Sequence, residues 1–181
     1  SEYLNKIQGL RFGDKPEDGI VRGNHFFQQS LRFTVTFPKG WKVQNSDAMV
    51  LAKQSGQENH MILRRVEDFQ GSLRAVALES MSQTGYRHRS GNLTTINGLE
   101  AYLGVYEGQV DGLGAVVGTV AHIKHEKNIY LFGGIATVDS ISLFDRDIRS
   151  SLRSFRSLSS EEAESILPNE IQLHTARTGD T

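Results

Sequence analysis

Thr94-Thr95-Ile96-Asn97-Gly98-Leu99-Glu100-Ala101-Tyr102-Leu103-Gly104-Val105-Tyr106 sets two β-prone runs on either side of Asn-Gly. The tightest hairpin turn needs positive φ at both central residues, and Asn-Gly adopts that shape at little cost. Thr94–Ile96 and Leu99–Tyr106 are therefore expected to pair as antiparallel strands. The pattern repeats downstream. Leu113–Lys124 and Asn128–Ala136 flank a polar turn around His125-Glu126-Lys127. Upstream, Leu31-Arg32-Phe33-Thr34-Val35-Thr36-Phe37 alternates apolar and polar residues, so Leu31, Phe33, Val35 and Phe37 face inward from a half-buried strand. Pro38-Lys39-Gly40 is turn chemistry, and Trp41 reads as a core anchor beneath it. Met49–Ala52 and His60–Val66 continue the strands.

The period changes twice. Across 71–84, Leu73, Val76, Ala77, Ser80 and Met81 fall on one helical face, and Gly85 stops the helix. Asp139 or Ser140 caps a second helix, in which Ile141, Phe144, Ile148, Leu152 and Phe155 recur at spacings of three and four. Ser159-Ser160-Glu161-Glu162 opens a short third helix, which Pro168 ends. Amphipathic helices cannot bury themselves alone, so they should lie on the sheet. The expected class is α+β, an antiparallel β-sheet with amphipathic helices packed on it. Residues 1–24, broken by Gly9, Gly13, Pro16, Gly19 and Gly23, read as a tether. The domain proper spans 25–158, and 159–181 reads as a C-terminal extension that is cut short.

The chain has 181 residues, 38% of them hydrophobic and 23% charged, with a net charge of −1. That is enough chain for one ordinary core, and its charge balance gives no general attraction to nucleic acid. No apolar run approaches the roughly 20 residues that span a bilayer, so membrane insertion by this chain is not expected. The absence of cysteine excludes disulfides, thiolate metal sites and a cysteine nucleophile.

Candidate chemistry is sparse. His122-Ile123-Lys124-His125-Glu126 lacks the His-Glu-x-x-His order of a zinc peptidase helix, and it lies in a strand-like run where residues three apart face opposite ways. These two read as a surface histidine and a turn histidine. Asp111-Gly112-Leu113-Gly114 reads as a turn rather than a phosphate loop, because no helix follows it. The remaining candidates are two basic clusters, and most charged helix faces are only solvated. Arg146, Arg149, Arg153 and Arg156 share a helical stripe that would either grip an acidic partner or stand as a solvated face. Tyr86-Arg87-His88-Arg89 is a second basic cluster, equally explained as a loop after the helix. The expected site set is thus partner-binding only: Arg146, Arg149, Arg153, Arg156, Arg87 and Arg89, with no catalytic, cofactor or metal residues.

A resemblance rests on Tyr3-Leu4, Ile7, Gly9-Leu10, Gly13-Asp14, Gly19, Val21-Arg22-Gly23, Phe26, Leu31, Phe33, Phe37-Pro38 and Gly40-Trp41. It resumes at Ser154-Phe155-Arg156 and in the stretch ending Arg177-Thr178-Gly179-Asp180-Thr181. These residues resemble the region that follows the catalytic domain in bacterial zinc metallopeptidases of family M forty-eight, related to HtpX and the CAAX prenyl proteases. That family often reads Phe-x-His-Pro where this chain has Phe27-Gln28-Gln29-Ser30. The middle of the chain is similar to PsbP-like domains, and the ending is similar to the start of a LysM-like segment. The resemblance implies a non-catalytic accessory domain of a periplasmic or envelope protease. Its zinc would sit in an upstream catalytic domain, and no cofactor is expected in this chain. The implied partner is its own peptidase domain or another protein. The alternative is a free-standing PsbP-like module for a protein or small ligand.

Overall fold

The computed structural model describes residues 16–166. Eleven strands form two antiparallel sheets. The larger has seven: β4 (Lys42–Asn45), β5 (Val50–Lys53), β6 (His60–Arg65), β7 (Arg87–Ile96), β8 (Leu99–Val110), β9 (Gly114–His125) and β10 (Asn128–Thr137), in the order β4-β5-β6-β10-β9-β8-β7. The smaller runs β1 (Ile20–Arg22), β2 (His25–Gln28), β3 (Phe33–Thr36) and β11 (Arg156–Ser157). The helices are α1 (Leu73–Gln83), α2 (Ile141–Arg153) and α3 (Ser160–Ser165). This is the expected α+β architecture, with two sheets instead of one. No helix among the described residues is long and apolar enough to cross a membrane.

The Asn-Gly hairpin forms as its chemistry dictates. Asn97 and Gly98 take φ of 48° and 80°, and Ile96 pairs with Leu99 across the turn. The α1 helix buries Leu73, Val76, Ala77, Ser80 and Met81, the face read from the sequence. Its end is a Schellman motif: Tyr86 N–H donates to Met81 O, Gly85 N–H donates to Ser82 O, and Gly85 sits at φ 86°. Tyr86 and Met81 belong to the same buried cluster, which supplies the apolar contact that often accompanies this cap. Ser140 precedes α2, but its hydroxyl contacts the Thr137 hydroxyl (2.7 Å) and makes no cap to the helix. α3 carries a full capping box between Ser159 and Glu162.

Alternation along β9 and β10 splits the core in two. Ala121, Ile123, Tyr130 and Phe132 face the small sheet and α2, where Phe33 stacks on Phe155 at 4.9 Å between centroids. Val120, Leu131 and Ile135 face α1. The α2 helix fits closely because Gly134 lies beneath Ile148, where a Cβ would come within 2.7 Å of the isoleucine. Trp41 is buried in the first core, as expected.

Three boundaries differ from the sequence reading. Residues 20–22, expected in the tether, form β1 and pair with β2 from Ile20↔Phe27 to Arg22↔His25. The glycines on either side, Gly19 and Gly23, take positive φ and turn the chain into and out of a strand. Residues 159–166, expected in the extension, pack back: Ala163 and Ile166 are buried with Ile20 and Leu158. The basic cluster Tyr86-Arg87-His88-Arg89 is not a loop, since β7 starts at Arg87. A strand exposed on both faces carries little apolar alternation, so polarity there does not mean loop. The rest of the tether (1–15) and of the extension (167–181) lies outside the described residues, as does Pro168.

Candidate functional site

Two regions carry polar chemistry: a buried pair under α1, and the long outer strand β7. The pair joins Ser80 of α1 to His122 of β9, with 2.6 Å between Ser80 Oγ and His122 Nε2. His122 is fully buried and its Nδ1 has no hydrogen-bond partner. Burial, with the nearby Arg64 charge adding to it, pushes its pKa down to about 3. A serine nucleophile needs a base that takes its proton near neutral pH and an acceptor that orients the ring. An imidazole held this weakly basic, with no carboxylate behind it and no solvent beside it, does not supply either. Ser80 borders a cleft of about 80 Å³ between α1 and residues 66–70, whose lining includes Glu67, Asp68 and Glu79 but not His122. A separate cleft lined by His60, Arg64, Thr84 and Tyr86 among others measures about 30 Å³, room for a water.

This corrects the reading of the two histidines as surface and turn residues. Both are buried, and they do face opposite ways. His125 Nε2 contacts Leu31 O (2.9 Å) and Nδ1 contacts Ser157 Oγ (3.2 Å), tying the large sheet to the small one. β9 lies inside a sheet covered on both faces, so each face buries its histidine. The two cannot share an ion. Among the described residues, no three His, Asp or Glu side chains cluster as a metal site would require.

β7 is different in kind. It is ten residues long, it ends the seven-strand order, and only Ile96 is buried. A bulge interrupts its pairing between His88 and Ser90. Arg87 contacts Glu107 on β8. Arg89 has no ion-pair partner among the described residues. Leu93 is 57% exposed. On the face toward α1, His88 Nε2 lies 3.0 Å from Tyr102 Oη, and the Tyr102 ring covers Gly91 so closely that a Cβ there would come within 2.7 Å of the hydroxyl. A groove of about 460 Å³ opens at the Arg87 end, between Gly85, Glu107, Gly108, Gln109 and Val138.

The expected arginine stripe does not survive as one surface. Arg146, Arg149 and Arg153 lie on α2, but Arg156 lies in β11. Arg149 Nε donates to Asp145 (2.8 Å), whose other oxygen accepts from Thr119 Oγ1 (2.9 Å). Arg156 pairs with Glu162, the acid of the α3 capping box. Arg146 and Arg153 are exposed, and the Arg153 carbonyl accepts from Asn97 Nδ2 at the β7–β8 turn. Arg87 and Arg89 stand at the opposite end of β7. Ser80, His122 and Leu93 were not anticipated as site residues. Only strand order shows which residues share an edge, and strand order is nonlocal.

No family model matches the chain, and no curated protein matches it. Solved structures do. Cyanobacterial PsbP (CyanoP) from Synechocystis superposes with a TM-score of 0.56 at 13% identity, over 80% of this chain and 98% of that one. A Bacteroides thetaiotaomicron protein superposes with a TM-score of 0.52 at 10% identity, over 78% of this chain and 51% of that one. LpqN, involved in cell envelope biogenesis of Mycobacterium tuberculosis, gives 0.48 at 13% identity, over 86% and 96%. The fold is PsbP-like.

Proposed function

We propose that this chain is a non-catalytic, partner-binding module, and that it serves as an accessory domain of a zinc-dependent metallopeptidase of the bacterial envelope. The observation that carries the binding reading is β7, a ten-residue outer strand with nine residues at least partly open to solvent. An open edge of that length is a template for a protein partner, and folds normally shorten, cover or charge it. The Ser80–His122 pair supports the same reading, because its geometry suits packing rather than acyl transfer.

The protease parent rests on the residue resemblance from Tyr3-Leu4 to Gly40-Trp41 and again at Ser154-Phe155-Arg156. The parent's zinc belongs to its catalytic domain; the described residues of this chain do not fit a zinc site, and no step runs through a metal here. An envelope or periplasmic location follows from the same resemblance. The coding sequence upstream of Ser1 tests the parent: the reading expects His-Glu-x-x-His within a helical stretch. The encoded peptidase domain, produced separately, should then bind this chain, and Arg89→Glu should weaken that binding. An upstream sequence without the motif overturns the protease parent. A peptidase domain that fails to bind at high concentration overturns docking on it.

A further inference from the structure

We infer that β7 takes up an acidic, extended segment of a protein partner as an eighth strand of the large sheet. The inference rests on the partner-binding reading and adds the mode and chemistry of capture. It starts from where the edge is guarded and where it is not. Charged side chains and bulges are the usual protection of an exposed strand. On β7 both lie at one end, in Arg87, Arg89 and the bulge between His88 and Ser90. From residue 90 to 95 the sequence is Ser-Gly-Asn-Leu-Thr-Thr, with no charge and no proline. Six residues at about 3.3 Å each give about 20 Å of open backbone, the length of an ordinary strand. Alternate residues of an outer strand turn their N–H and C=O groups away from the sheet, so this run offers main-chain hydrogen bonds to an incoming strand. Leu93 adds an exposed apolar contact beside that backbone.

The charge selects the occupant. β7 carries two arginines and no carboxylate. Its cross-strand neighbours on β8 include two acids: Glu107, which contacts Arg87, and Glu100, opposite Thr95 at the far end, so the cationic end and the end that would repel an acid are distinct. A second copy of β7 would bring two more arginines and no carboxylate of its own. An extended segment with acids at one end would answer Arg87 and Arg89 while its remainder lies along 90–95. Charge complementarity at such a rim governs choice of partner and speed of encounter more than raw affinity.

The test uses the full chain and a fluorescein-labelled ten-residue peptide of alternating threonine and valine, with two aspartates two residues apart at one end. Fluorescence anisotropy should saturate below about 1 mM peptide. The same peptide with lysines for aspartates should bind at least about tenfold more weakly, and Arg89→Glu should reverse the preference. Two further peptides carry N-methyl groups on the odd or the even residues, and one of the two should fail to bind. Far-ultraviolet circular dichroism identical to that of the parent chain confirms that Arg89→Glu is folded. Lack of saturation, or binding of both N-methyl peptides as tightly as the parent peptide, overturns strand addition. Equal binding of the lysine peptide overturns the acidic occupant. Either failure leaves the module reading standing if the peptidase domain still binds, and failure of the peptidase domain alone leaves strand addition standing.

Discussion

The two edges of the seven-stranded sheet are finished in opposite ways. At one, β4 is four residues long, and Asn45 from it donates to Asp18 O (2.9 Å) and Gly19 O (3.3 Å), latching the small sheet beside it. At the other, β7 is ten residues long and nothing among the described residues pairs beyond it. The same fold therefore closes one edge with a second sheet and leaves the other to charge and a bulge. The contrast continues inside. His125, on the closed side of β9, uses both ring nitrogens to join the sheets, while His122, on the α1 side, leaves Nδ1 without a partner. The latched edge is tied to the rest of the core, whereas on the open strand only Ile96 is buried.

The strongest way to break that contrast is to damage the latch. Gly19 has φ 112°, and a Cβ there would come within 2.4 Å of the Phe26 ring. Gly19→Ala should cost about 2–4 kcal/mol in urea unfolding, from backbone strain and overpacking together. An unchanged midpoint would show that β1 contributes little to closure. Next comes acid. His122 folds with a pKa of about 3 against an ordinary 6.5. The folded state thus resists a proton that the unfolded chain accepts. Its stabilising share is intact above about pH 6.5 and falls by about 1.4 kcal/mol for each unit of pH below that, until the folded value is reached. At pH 5 the loss should be about 2 kcal/mol. In His122→Gln that slope should flatten between pH 6.5 and 5; a slope equal to that of the parent chain would place the acid sensitivity elsewhere.

Asn45→Ala should cost about 1–2 kcal/mol, because two carbonyls lose their donor while the unpartnered Asn45 Oδ1 is removed with it. The smallest effect belongs to the open edge. Leu93→Thr should change stability by no more than about 0.5 kcal/mol, as an exposed site does. It should nonetheless weaken peptide capture. A larger loss of stability would mean that Leu93 is structural.

What could be read from the sequence follows the same division. Local signals were legible: the Asn97-Gly98 turn, the buried face of α1 from Leu73 to Met81, and the Ser159–Glu162 capping box each depend on residues a few positions apart. The small sheet was not legible, because β3 pairs with β11 across more than a hundred residues and β1 is only three residues long. The Tyr86-Arg87-His88-Arg89 run read as a loop because its outer strand is solvated on both sides. The histidines read as a surface residue and a turn residue because nothing local reveals that β9 is covered on both faces. Arg156 read as part of the α2 stripe because helical spacing continues past the residue where the helix stops.

Amide hydrogen exchange, measured residue by residue with and without the acidic peptide, tests the open edge most directly. The prediction is slowed exchange at alternate residues between 90 and 95, with residues 42–45 of β4 unchanged. Equal slowing at both edges, or none between 90 and 95 while the peptide is bound, would contradict it.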